Sequence, residues 1–232
     1  MRRAISLLLF APPMLSACVT RPAPPPPPPS IVVFPPPPGA ADSDWSAIAA
    51  PADRTRLQLL PGELRRAIAA VPRRFAARVQ AEGPLLDPAK AEPKPALPPG
   101  PYHCRLLRLG GRAGLVTYAP DFCYVQAGPG AAMGFVKQTG SNLPQGWLYP
   151  DTDTRVVFLG ALRARPADRA PAYGVEPARD VAGLVERVSP FRWRLTLANA
   201  RQGAALDLYE LVPVTPSVPG AKPTVPDPKS GG

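Results

Sequence analysis

The sequence predicts an α+β protein that is mainly β. A small antiparallel β-barrel of about eight strands, lipocalin-like in its meander, is expected after two or three short helices. Three observations carry this expectation. Between residues 101 and 212, nine short β-type runs alternate with Gly, Pro and Asp turns, the spacing of an antiparallel barrel or sandwich. Between residues 42 and 82, apolar residues recur at helical intervals. Proline makes up 37 of 232 residues, about three times its usual share. Its clusters at residues 22–38 and 213–228 exclude one continuous fold over the whole length.

The nine runs read PYHCRLLRL, GLVTYA, DFCYVQA, MGFVKQT, GWLYPD, TRVVFLGAL, VAGLVERV, FRWRLTLA and ALDLYELV. Successive strand side chains point to opposite faces. In the eighth run Phe191, Trp193, Leu195 and Leu197 share one face and are expected inside the barrel. Arg192 and Arg194 share the other and are expected in solvent. Gly110-Gly111-Arg112-Ala113-Gly114 separates the first two runs and reads as a hairpin turn.

In the helical part, Leu57, Leu60, Leu64, Ile68, Val71, Phe75 and Val79 form one face of a helix. Arg65, Arg66, Arg73, Arg74 and Arg78 fall largely off that face. Pro51, Pro61 and Pro72 interrupt the pattern, so short or kinked helices are expected, with Pro51 and Pro61 in first-turn positions. The apolar stripe is expected to pack on the neighbouring β domain; a basic amphipathic helix lying on a membrane is the other reading. A proline-rich connector at residues 85–100 ends the segment 41–100, and the barrel occupies 101–212.

Residues 1–17 read as a lipoprotein signal peptide. Arg2 and Arg3 supply the positive start, and residues 4–10 form an apolar stretch too short to span a bilayer. Leu15-Ser16-Ala17-Cys18 then resembles a lipobox. The small residues fit a signal peptidase, and the Cys18 thiol is the nucleophile that takes the lipid. No Asp follows Cys18, so the outer membrane, periplasmic side, is expected. Residues 18–40 form a lipidated, proline-rich tether, expected to favour polyproline II. Its insert Ile31-Val32-Val33-Phe34 is apolar and is expected to touch the domain or the membrane. Residues 213–232 have the composition of a disordered tail.

With Cys18 lipidated, Cys104 and Cys123 are left in an oxidising compartment, where a disulfide is expected. It would close a loop of about 20 residues and contribute roughly 3 kcal/mol. His103 is the one histidine and cannot build a zinc site alone; no metal or cofactor is expected. No G-x-S-x-G elbow and no G-x-x-x-x-G-K-[ST] phosphate loop occur. Asp151, Asp153 and Glu186 are the carboxylates on which hydrolysis of wall sugar or lipid would rest, although Asp151 and Asp153, next to Pro150, are more simply turn residues. Residues 137–142 form a polar loop that either lines a site or is solvated. The formal net charge is +10, spread along the chain with no Lys/Arg run longer than two. That distribution argues against nucleic acid and suits a cationic surface among anionic envelope polymers and lipids.

The strings PPGPYHCRLLRLG, DFCYV, FVKQTGSN, LYPDTDTRVVFLG, AYG, RDVAGLVERV, WRL and LDLYELVPV follow in this order. Together they resemble the domain-of-unknown-function family DUF4893, seen in envelope proteins of alphaproteobacteria, mainly of sphingomonad type. The resemblance covers residues 99–213 closely and the helical part through Trp45 and Asp53-x-x-Arg56-Leu57. Thr139-Gly140-Ser141-Asn142 departs from the TGSQ frequent in the family. The resemblance implies a fold and an envelope location, and assigns no activity and no functional residue. The expectation is a lipid-anchored, non-enzymatic module that binds an envelope protein, lipid or polysaccharide. A carboxylate hydrolase and a structural spacer are the alternatives.

Overall fold

The structure, a computed structural model, describes Phe34 and residues 44–198 and 205–215. The leader, Cys18, the tether other than Phe34, and the tail from residue 216 lie outside the described residues. Each of the nine runs becomes one strand: β1 (Gly100–Gly110), β2 (Gly114–Thr117), β3 (Asp121–Ala127), β4 (Met133–Lys137), β5 (Leu143–Pro150), β6 (Arg155–Arg163), β7 (Asp180–Ser189), β8 (Arg192–Ala198) and β9 (Leu206–Pro213). All neighbours are antiparallel. β1 pairs with β9 on one edge and β3 on the other, so β1 and β3 to β9 close into an eight-stranded barrel. β1 is long enough to serve two partners on one edge. Gly100 to Cys104 pair with β3, and Leu107 to Gly110 pair with the extra strand β2.

Cross-strand register explains the core. Leu106 faces Tyr209, Tyr209 faces Leu195, Leu195 faces Val185, and Val185 faces Val156. These belong to one buried cluster that fills the barrel. The opposite face of the same strands is not left to water. Leu107, Leu109, Val157, Leu159, Leu184 and Leu208 form a second cluster with helical residues Leu57, Leu60 and Leu64. Covering both faces is why β6 is apolar at consecutive positions. Gly146 of β5 lies opposite Gly160 of β6. A Cβ on Gly146 would come within 2.3 Å of the Leu159 carbonyl oxygen, and one on Gly160 within 2.4 Å of that of Gln145. The two backbones therefore approach too closely for side chains, the tight coiling that barrel closure needs.

The helical layer holds α1 (Trp45–Ile48), α2 (Pro51–Ala69) and α3 (Ala76–Glu82), with 3-10 turns at Arg73–Phe75 and Gly83–Leu86. Pro51 opens α2 as expected. Pro61 corrects the expectation of a first-turn position, because it sits inside a continuous 19-residue helix. An interior proline costs about 3 kcal/mol; burial of Leu57, Leu60 and Leu64 against the barrel offsets it. Among the described residues no helix is long and apolar enough to cross a membrane.

The eighth run holds two further corrections. Trp193, Leu195 and Leu197 point into the barrel, but Phe191 is 74 % exposed. It lies in the turn before β8, where strand alternation does not apply. Arg194 does point away from the barrel interior, yet its side chain is 0 % exposed, because the helical layer covers it. Arg192 is partly buried against Glu82 and Glu210.

The placement of these aromatics sets an expected contrast. Trp193→Ala should lower the unfolding free energy by about 3–5 kcal/mol. Phe191→Ala should change it by no more than about 0.5 kcal/mol. Urea melts of the two variants measure this, and equal midpoints would contradict the inward assignment of Trp193.

Candidate functional site

The structure gives most of the residues marked in the sequence a structural task. Cys104 and Cys123 form the expected disulfide, Cα atoms 5.8 Å apart, inside the barrel. His103 faces outward on β1 and its ring lies 5.2 Å from that of Phe122. Asp151 accepts from Trp45 Nε1 at 2.8 Å and from Arg155 Nε at 2.5 Å. Glu186 is held by Arg194 at 2.6 Å. Asp153 is exposed, and its carbonyl accepts from the Lys94 backbone N–H. The carboxylates on which a hydrolase reading rests are thus either in ion pairs or in a solvated turn. Gly110 to Gly114 form the expected hairpin turn.

Both ends of the barrel are closed by the chain itself. At one end the connector inserts Leu97 into the interior cluster. Trp193 Nε1 donates to the Pro95 carbonyl at 3.0 Å, and the Tyr102 hydroxyl to that of Pro98 at 2.7 Å. At the other end the Lys137 side chain, 1 % exposed, gathers residues 138–142. Its Nζ donates to Asp121 at 2.6 Å and to the carbonyls of Thr139 and Ser141 at 2.7 and 2.8 Å. The Tyr209 hydroxyl donates to the Asn142 carbonyl at 3.1 Å. Its pKa is raised well above the usual phenol value, chiefly by burial, so it stays a donor. The loop at 137–142 is therefore a barrel cap. The strand arrangement is lipocalin-like, but the interior is packed with side chains.

The outside separates two kinds of arginine. On β1 they are neutralised. Arg105 binds Glu82 at 2.5 Å and Glu210 at 2.6 Å, and Arg108 binds Asp207 at 2.6 Å. The carboxylates and hydrogen bonds of these partners raise both guanidinium pKa values above their usual level. In the helical layer, Arg65, Arg66, Arg73, Arg74 and Arg78 are exposed. Among the described residues none of the five lies within 4.0 Å of a carboxylate. Glu63 is the one acid between Arg54 and Ala81.

These arginines are gathered in pairs. A Cβ on Gly62 would lie 3.4 Å from Arg66 Nη1 and 3.8 Å from Arg65 Nη2, so both guanidiniums sit over one small residue. Arg74 and Arg78 share the Phe75 ring, 4.7 and 5.3 Å from its centroid. Cation–π contact suits guanidinium and holds the two heads together without a counter-charge. Arg78 also donates to Thr117 at 3.1 Å. The β1–β2 turn leans on this region, since a Cβ on Gly114 would come within 2.7 Å of Pro72 and 3.2 Å of Phe75. Arg112, in the same turn, is exposed. A planar five-donor fork has the geometry to bind phosphate oxygens bidentately.

The sequence marked five of these arginines but spread the charge evenly along the chain. The signal that separates them is the scarcity of carboxylates between residues 54 and 81. Family motifs elsewhere hold the helices down. The Tyr173 hydroxyl donates to Asp53 at 2.5 Å and accepts from the Ala50 N–H at 3.0 Å, while Arg56 binds the other Asp53 oxygen at 2.6 Å. A family model described as a domain of unknown function (DUF4893) matches residues 45–211. No curated protein and no solved structure matches the chain.

If these arginines serve binding rather than folding, removing them should spare stability. Arg65→Ala, Arg73→Ala and Arg74→Ala should each leave the urea midpoint within about 0.5 kcal/mol of the parent. Arg105→Ala, which leaves Glu82 and Glu210 to Arg192 alone, should cost clearly more. A large loss at Arg73 or Arg74 would mark those residues as structural.

Proposed function

The chain belongs to the DUF4893 family of domains of unknown function, and we propose that it is a lipid-anchored, non-enzymatic binding module of the cell envelope. In this reading Cys18 carries the lipid and the domain faces the periplasm from the outer membrane. Its arginine face engages phosphate-bearing anionic lipid. The observation that carries the binding half is that exposed arginines come in pairs, Arg65 with Arg66 over Gly62 and Arg74 with Arg78 on the Phe75 ring, without a carboxylate partner among the described residues. The packed interior and capped ends argue against a carrier that holds lipid inside the barrel. The anchoring half rests on the charged and apolar leader before Leu-Ser-Ala-Cys. An acylated cysteine with two or more chains is a stable anchor.

Each half has its own test. Labelled palmitate should enter the parent protein and fail to enter Cys18→Ser; equal labelling would remove the anchor. For binding, the Cys18→Ser chain should sediment with phosphatidylglycerol vesicles and not with phosphatidylcholine vesicles. Each basic residue near an anionic surface contributes about 1 kcal/mol, so a triple Arg73→Glu, Arg74→Glu, Arg78→Glu change should weaken binding about 100-fold or more. Binding that survives the triple change, or is indifferent to salt, would refute the arginine face.

A further inference from the structure

Phe34, eleven residues before the helical layer begins, is packed on the outer wall of the barrel. Its ring centroid is 5.3 Å from that of Trp147 on β5, with the planes tilted by 52°, within the range of a favourable aromatic pair. Beneath the ring lies Gly134 of β4. Gly134 is paired with Trp147 and lies between Met133 and Phe135, whose side chains belong to the interior cluster. Its own side chain position therefore points outward. A Cβ there would come within 2.9 Å of Phe34 Cε1 and 3.0 Å of its Cζ. Beside it, a Cβ on Gly128 would come within 2.2 Å of Trp147 Cζ3. A glycine inside a strand weakens the strand and marks close approach by another group. Here Gly134 leaves room for the Phe34 ring and Gly128 for that of Trp147.

The occupant comes from a proline-rich segment. In Ile31-Val32-Val33-Phe34, followed by four prolines, Phe34 is the one aromatic residue of the tether. We propose that Gly128, Gly134 and Trp147 form a docking slot for an aromatic side chain on a proline-rich segment. Its ligand is Phe34 of the chain's own tether. Proline-rich segments dock on aromatic-lined grooves because their ordering cost is already low. An occupant in the same chain also binds at a high effective concentration. The slot lies on the β4–β5 wall, whereas α2 packs on β7 and β8. β6 and β7 separate β5 from β8 in the ring. Docking there fixes Phe34 on the β4–β5 wall. The inference stands on the slot geometry and does not depend on the arginine face or on lipidation.

The test uses the full chain with Cys18→Ser, labelled with ¹⁵N and observed by NMR. Phe34→Ala should move the Trp147 indole N–H and the Gly128 and Gly134 amides, because the ring current is removed. The indole signals of Trp45 and Trp193 should stay in place. Gly134→Ala should shift the Trp147 indole in the same direction, since the added methyl displaces the ring. Unchanged Trp147, Gly128 and Gly134 signals in Phe34→Ala would overturn the slot. Parent signals at Trp147 that move on dilution would assign the ring to a second copy and overturn docking in the same chain.

Discussion

The guanidinium of Arg194 ties the helical layer, the connector and the barrel to one another. It leaves the outer face of β8 and meets Glu186, its cross-strand neighbour on β7, at 2.6 Å. Its remaining donors reach the carbonyls of Leu85, Asp87 and Lys90 at 3.0, 2.8 and 3.2 Å. A buried charge is costly unless its counter-ion and hydrogen bonds are complete, and here both are. The chain between α3 and β1 is thereby fixed as it crosses the strands. It then continues through the Glu92 N–H bond to the Arg187 carbonyl and the Lys94 N–H bond to that of Asp153, and delivers Leu97 into the barrel end. On the near side, Glu82 at the end of α3 is shared by Arg105 and Arg192. The charges of this wall hold the layer in place as much as its leucines do.

That arrangement explains what could be read in the sequence. The strands were legible because alternation and turn residues are local properties. The disulfide was legible because only two cysteines remain after Cys18. The environment of Arg194 was not legible. Alternation assigns it correctly to the face opposite Trp193, but whether that face meets water depends on residues more than 100 positions earlier. Phe191 failed for the opposite reason: one residue beyond the strand, the period of two no longer governs it. Pro61 failed because tertiary burial of Leu57, Leu60 and Leu64 overrides a local propensity.

The candidate site was half legible. Arg65, Arg66, Arg73, Arg74 and Arg78 stood off the apolar stripe, so their exposure followed from periodicity. Their distinction from the other arginines did not, since Arg105 and Arg108 find Glu210 and Asp207 about 100 residues away, across β1 and β9. Charge counted along the chain looks even; charge left after pairing does not. The motif residues that carry the family resemblance are largely joints of this scaffold: Trp45 with Asp151, Asp53 with Tyr173, Lys137 with residues 138–142. They define how the helical layer and the caps are attached.

The role of Arg194 is tested most directly by Arg194→Met, which keeps much of the apolar stem and removes the charge and its donors. Stranding Glu186 and three buried carbonyls should lower the unfolding free energy by about 3–5 kcal/mol. In urea denaturation followed by far-UV circular dichroism, the midpoint should fall accordingly. A midpoint within about 0.5 kcal/mol of the parent would contradict the account and leave the helical layer held by its apolar packing and its other polar ties.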